Sequence, residues 1–255
     1  MDSLTAVRDG LSAAMVGDGG AQGAADRLCA ACVELLPVDG ASISLAVEGA
    51  GNGTLGASGE LSRRVDELQF TYGEGPCFDA VRQGAPVLAP DLAAETELRW
   101  PAFTRAAGDA GVGAIFALPV GMSALWVGAL DLIRAERGAL SPVSWKASLF
   151  AAELAVQPVL ELMHAEDEHG AVSTEAAVEE ESWPQLAGLG RVEVYQATGM
   201  VMAALNISEN AALARLQAHA FAHGMTASEV AWEIVERRLI LDADDGQARD
   251  GRTPR

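Results

Sequence analysis

The 255-residue chain is 50% hydrophobic and 21% charged, which excludes a disordered polypeptide and leaves enough apolar side chain for a sizeable core. Its net charge of −19 argues against a general polyanion binder, and three cysteines, an odd and small set, fit reduced thiols better than a disulfide framework. No long uncharged apolar run predicts a membrane span, and MDSLTAVRDG lacks the features of a secretory signal, so a cytoplasmic location is expected.

Helical periodicity runs over residues 3–16 and 21–36, the second stopped by Pro37-Val38-Asp39-Gly40. ASISLAV (41–47) alternates like a strand, GAGNG (49–53) reads as a turn, and a second strand is expected at 54–58. A helix over 59–69 precedes GEGPCFDAVRQG (73–84), a glycine-rich turn entering a short helix. PVLAPDL (86–92) reads as a strand, and RWPAFTRAAGDAG (99–111) as a helix stopped by glycines. VGAIFALPV (112–120) and ALWVGALDLIR (124–134) are apolar strands joined by Gly-Met-Ser in a hairpin. The last helix of this part, 141–163, opens on Ser141-Pro142, and Pro158 is expected to kink or interrupt it. Strands flanked by helices at both ends indicate an α+β fold, a layered domain with an antiparallel sheet.

The charge is unevenly placed. Residues 1–182 hold 10 Lys/Arg and 27 Asp/Glu, a balance of −17, whereas residues 183–241 hold 4 Arg and 5 Glu, a balance of −1. Residues 164–187 are acidic and poor in large apolar side chains, as a linker would be, and they divide a domain at 1–163 from a small module at 188–241. Residues 242–255 read as a disordered tail.

The module should hold three helices. The first, 190–205, gathers Val194, Tyr195, Thr198, Val201, Met202 and Leu205 on one arc with Gly199 at its edge. Thr198 lies inside that arc, where its hydroxyl can bond the Val194 carbonyl one turn back. Gly199 either lets another helix pack closely or leaves a flat place for a nucleotide. Ser208 is the expected N-cap of a helix over 209–222 with Leu213, Leu216 and Ala220 inward, ended by Gly224. Thr226-Ala-Ser-Glu229 forms a capping box for a helix over 227–240 with Val230, Ile234, Val235 and Leu239 inward.

Two resemblances follow. YGEGPCFDAVRQGAPVLAPDL, RWPAF, GVGAIFALPV and GALDLIR occur in the order seen in GAF domains of actinobacterial signalling proteins, which residues 5–163 resemble. That implies a small-molecule-sensing fold whose terminal helices pair between subunits. EVYQATGMVMAAL, SENAALARLQAHAFAHG and TASEVAWEIVERRL resemble the ANTAR module, the three-helix RNA-hairpin-binding output domain of transcription antitermination regulators. The module departs from many ANTAR sequences by carrying Thr198 in place of Lys and by being nearly neutral.

The ANTAR resemblance implies a homodimer whose two modules bind paired RNA hairpins, with no role for DNA or a membrane; effective concentration would then offset weak single contacts. Candidate RNA-contacting residues are Arg191, Gln196, Thr198, Gly199, Arg215, His219, His223, Arg237 and Arg238, with the two histidines placed to stack on or bond unpaired loop bases. Arg237-Arg238 can equally be a solvated helix end.

Gly73, Gly75, Cys77 and Asp79 are the candidate ligand-pocket residues of the GAF-like part, although the glycines can serve the turn alone. Cys77 also occupies a turn similar to one in free methionine sulfoxide reductases, a related GAF branch, but Cys29 and Cys32 do not match that family's loop positions. Cys29-x-x-Cys32 reads as buried small residues or as a redox pair, and one further Cys with no His before His164 cannot build a four-ligand zinc site or a His-ligated haem. No cofactor, metal or catalysis is expected. The rival readings are a protein-interaction module without RNA and a Cys77-dependent reductase.

Overall fold

The computed structural model describes residues 3–47, 51–122, 125–167 and 191–241. The chain divides into two compact units, Met1–Gly190 and Arg191–Arg255.

In the first unit, α1 (Ser3–Ala14) and α2 (Gly20–Leu35) lead into β1 (Gly40–Val47) and β2 (Gly51–Ala57). Helices α3 (Glu60–Tyr72) and α4 (Pro76–Gln83), strand β3 (Val87–Ala89) and helix α5 (Pro101–Asp109) follow. Strands β4 (Ala114–Met122) and β5 (Leu125–Arg134) then lead to α6 (Pro142–Asp167). The five strands form one antiparallel sheet in the order β2-β1-β5-β4-β3.

Strand alternation sends side chains to two cores, and the central strands are apolar on both faces because helices cover both. Leu28, Cys29 and Cys32 of α2, Ile43 and Leu45 of β1, Phe116 and Leu118 of β4, Leu130 and Leu132 of β5, and Ala151 and Ala155 of α6 share one core. On the opposite face Val65 and Leu68 of α3, Trp100, Phe103, Ile115, Ala117, Ala129 and Ile133 share the other. Gly56 sets the approach of α2 to the sheet, since a Cβ there would meet the Ala25 carbonyl carbon and Cβ at 2.6 Å.

Several expected boundaries change. α6 continues through buried Pro158, so the proline does not interrupt it, and four residues expected in the linker belong to the helix. β2 starts at Gly51, inside the expected turn, because Val47, Ala46 and Leu45 pair with Gly51, Asn52 and Gly53. Gly121 and Met122 extend β4, opposite Trp126 and Leu125. The rest of the linker, 168–187, and the tail at 242–255 lie outside the described residues.

The second unit holds α7 (Val192–Leu205), α8 (Glu209–His223) and α9 (Ala227–Val235). Its core is made of small and branched side chains: Val194, Ala197, Thr198 and Val201 of α7, Ala212, Leu216 and Ala220 of α8, and Ala227, Val230, Ala231 and Ile234 of α9. The capping box at Thr226 is formed, with Glu229 N–H donating to the Thr226 hydroxyl at 3.1 Å and Thr226 N–H to Glu229 Oε2 at 2.7 Å. Ser208 sits at the N-cap of α8, where its carbonyl accepts from Ala212 N–H at 2.9 Å and its hydroxyl makes no cap. α9 stops five residues short of the expected end: Arg237 takes a left-handed φ of 58°, and the N–H groups of Arg238 and Leu239 both turn back to the Glu233 carbonyl.

Candidate functional site

In the first unit, the turn between α3 and α4 joins three helices. Gly73 ends α3 in the left-handed region, and Gly75, at φ 149°, starts α4 in a conformation reserved for glycine. A Cβ on Gly75 would strike the Gln69 amide. Glu74 reaches across to the start of α5, where its Oε1 accepts from Ala102 N–H at 2.8 Å and Phe103 N–H at 2.9 Å. A carboxylate thereby satisfies two of the orphan donors at that helix N-terminus.

The candidate pocket residues face this framework. Cys77 is buried and its N–H donates to Gln69 Oε1 at 2.8 Å. Asp79, also buried, accepts from Trp100 Nε1 at 3.1 Å and pairs with Arg82. Sequence reasoning identified the turn but missed Glu74, Gln69 and Trp100, the residues that hold it. A groove of about 500 Å³ lies elsewhere on the unit, bordered by Leu92, Thr104, Arg105, Asp109 and Arg137, and contains none of the four candidates.

Below α3 lies a buried polar cluster on the sheet. Asp66 accepts from the Ser44 and Thr54 hydroxyls, and Gln69 Nε2 donates to Asp131 Oδ2 at 2.5 Å. Burial raises the Asp131 carboxyl to about 7, with the Gln69 amide pulling the other way and the Asp66 charge adding to the rise. Cys29 and Cys32 are fully buried on α2. Burial pushes the Cys32 thiol up to about 12, and burial together with Cys32 and Asp26 holds Cys29 well above its ordinary value. Thiols held neutral in an apolar core are poor nucleophiles, which favours the packing role over a redox pair.

In the second unit the nine RNA candidates separate into two groups. Arg191 is 4% exposed at the N-terminus of α7, where its charge acts on the half-buried Tyr195, and Thr198 is 2% exposed. The Thr198 hydroxyl donates to the Val194 carbonyl at 2.7 Å, as its helical position implies. Both side chains are buried in the unit, Arg191 at the helix start and Thr198 in the core. Arg238 is turned onto Glu233, at 2.9 Å for both nitrogen–oxygen pairs, and onto Glu236.

Gln196, Gly199, His223 and Arg237 are exposed, and Arg215 and His219 half-buried. Gly199 does not mark close packing within the unit, because a Cβ there would find no atom within 4 Å. The imidazoles of His219 and His223 stack with centroids 4.0 Å apart, and His223 Nδ1 lies 2.9 Å from the His219 carbonyl oxygen. Two aromatic rings that sequence reasoning passed over are also exposed, Phe221 at 62% and Trp232 at 52%. Trp232 is legible in hindsight: it stands two residues from both Val230 and Ile234, about 200° around the helix from each core position.

Among the described residues no group of His, Cys, Asp and Glu is placed to hold a metal ion, and no helix is long and apolar enough to cross a membrane. Compared with protein-family models, residues 20–155 match the GAF domain and residues 187–235 match the ANTAR domain. No curated protein matches the chain. The chain is similar to the GAF domain from a phosphoenolpyruvate-protein phosphotransferase of Coxiella burnetii, with 14% identity, 66% of this chain and 99% of that chain covered, and a TM-score of 0.50. It is also similar to the free methionine-R-sulfoxide reductase from Neisseria meningitidis in complex with its substrate, with 13% identity, 65% and 95% covered, and a TM-score of 0.47. At 14% identity, what this chain shares with the Coxiella burnetii domain is the fold.

Proposed function

The chain belongs to the GAF family and carries an ANTAR domain after it, and from that premise we propose that it is a signal-responsive RNA-binding regulator acting by transcription antitermination. The observation that carries this reading is the ANTAR match lying on a separate three-helix unit. That unit displays a stacked histidine pair and two exposed aromatic rings. Unpaired loop bases are recognised by stacking on such rings and by bonds to their edges, so Trp232, Phe221, His219 and His223 are the contacts of choice, with Gln196, Gly199, Arg215 and Arg237 around them. The GAF unit senses a signal or dimerises, and a homodimer presents two modules to two hairpins at once.

The first unit supports a role without catalysis. Cys77 is 4% exposed, its amide is committed to Gln69, and a reductase thiol needs access to its substrate.

Binding of the full chain to a two-hairpin RNA, measured at two salt concentrations with loop sequences exchanged, tests the proposal. Affinity that depends on loop sequence and weakens with salt supports it. Association indifferent to the loops overturns it in favour of a protein-interaction module.

A further inference from the structure

Ser42 and Asp131 stand opposite one another in the β1–β5 ladder and are both fully buried. Asp131 Oδ2 is held by Gln69, but Asp131 Oδ1 and the Ser42 hydroxyl have no hydrogen-bond partner. Two orphaned polar atoms on paired residues of one sheet face are unusual in a folded interior. Gln69 uses its other end on the turn, accepting the Cys77 N–H. One amide therefore links the centre of the sheet to the first turn of α4.

The groups around Asp131 make an ionised carboxylate costly. On its own strand its same-face neighbours are Ala129 and Ile133, and β4 opposes it with Ala117. β1 offers Ser42 and Ser44, and α3 offers Gln69 and a second carboxylate, Asp66, already bonded by two hydroxyls. α4 adds the Cys77 thiol and Asp79, the latter held by Arg82 and Trp100. No lysine or arginine is among these facing groups. An ionised Asp131 therefore places a charge near a second carboxylate in a buried layer, with no donor at Oδ1, whereas the neutral acid brings no charge there.

We propose that Asp131 is a proton-sensing element of the GAF unit, fitting the buried layer between β1, β5 and α3 when neutral and destabilising that layer when it loses its proton. Only the consequence for the RNA module rests on the regulatory reading above; the switch is a property of the first unit.

The sign follows from linkage. The folded-state value near 7 exceeds the ordinary 3.8, so the folded unit holds this proton more tightly than the unfolded chain does. Its contribution to stability is fully present below about pH 4, declines as pH rises, and is gone above about pH 7.

Thermal unfolding of the full chain from about pH 5 to about pH 8.5 reads this directly. The expected result is a Tm of the first unit that falls toward pH 7 and then levels, a slope that Asp131→Asn removes; parallel curves for the two proteins overturn the proposal. Because Asn at that site can misfold, carboxyl 13C NMR of the unmutated chain labelled at aspartate is the second measurement. One aspartate resonance titrating near pH 7 supports the assignment, and titration of every aspartate below pH 5 overturns it. None of these measurements uses RNA, so their failure leaves the regulatory reading standing, and loss of RNA binding leaves the switch standing.

Discussion

Gly75 and Gly199 show how the two units use the same residue in opposite ways. At Gly75 the backbone is left-handed and a Cβ would strike Gln69, so the fold itself demands glycine. At Gly199 the backbone is helical, the surface is open, and no atom within 4 Å would oppose a Cβ. The contrast extends to their surroundings. In the first unit Glu74, Asp79 and Gln69 are bonded inside the fold, to α5, Trp100 and Asp131. In the second, Gln196, His223, Arg237 and Trp232 face outward. A motif residue with an internal partner is explained by stability, and one kept against its own helix propensity without a partner invites an external explanation.

Substitutions that exchange these situations should break the contrast, beginning with the largest effect. Gly75→Ala imposes a disfavoured φ and displaces Gln69, and should cost the first unit about 3 kcal/mol in urea unfolding. A variant as stable as the parent shows that the turn tolerates a side chain and removes the contrast.

Trp232→Ala should leave the second unit's stability nearly unchanged, since the ring is half exposed, while weakening RNA binding by roughly 2 kcal/mol if one base stacks on it. Fluorescence titration with a labelled hairpin checks this; equal affinity places the RNA elsewhere. Gly199→Ala should stabilise the second unit by about 1 kcal/mol, the difference in helix propensity with no steric penalty. Helicity and affinity measured together sharpen the comparison. Higher stability with lower affinity assigns the open place to the partner, and unchanged affinity ends that reading.

The smallest effect separates the two terminal arginines. Arg238 is engaged by Glu233 and Glu236, so Arg238→Gln should leave the salt dependence of RNA binding where it is. Arg237→Gln should lower the slope of log affinity against log salt by about one, as loss of a single phosphate contact does. Equal slopes for both variants mean that neither touches the backbone.

The elements lay in reach of sequence reasoning where periodicity is strong. The paired apolar strands, the amphipathic helices of the second unit, the capping box at Thr226 and the Thr198–Val194 bond all depend on residues a few positions apart. An interruption at Pro158 and the later end of α9 were misjudged for the complementary reason. A long helix continues through a proline when both flanks pack, and α9 closes early through bonds to the Glu233 carbonyl that hydropathy does not report.

The site residues divide the same way. Composition, apolar spacing and the turn chemistry of GEGP by themselves determined an α+β unit followed by three helices, because each is a local property of the backbone and its immediate neighbours. Only the tertiary structure decided which side chains find partners. Glu74 finds the N–H groups of Ala102 and Phe103, Gln69 finds Asp131, and Arg191 disappears into the core. Those outcomes depend on chain segments tens of residues apart being brought together, and on burial, which turns an ordinary Asp131 into a carboxyl that holds its proton near neutral pH.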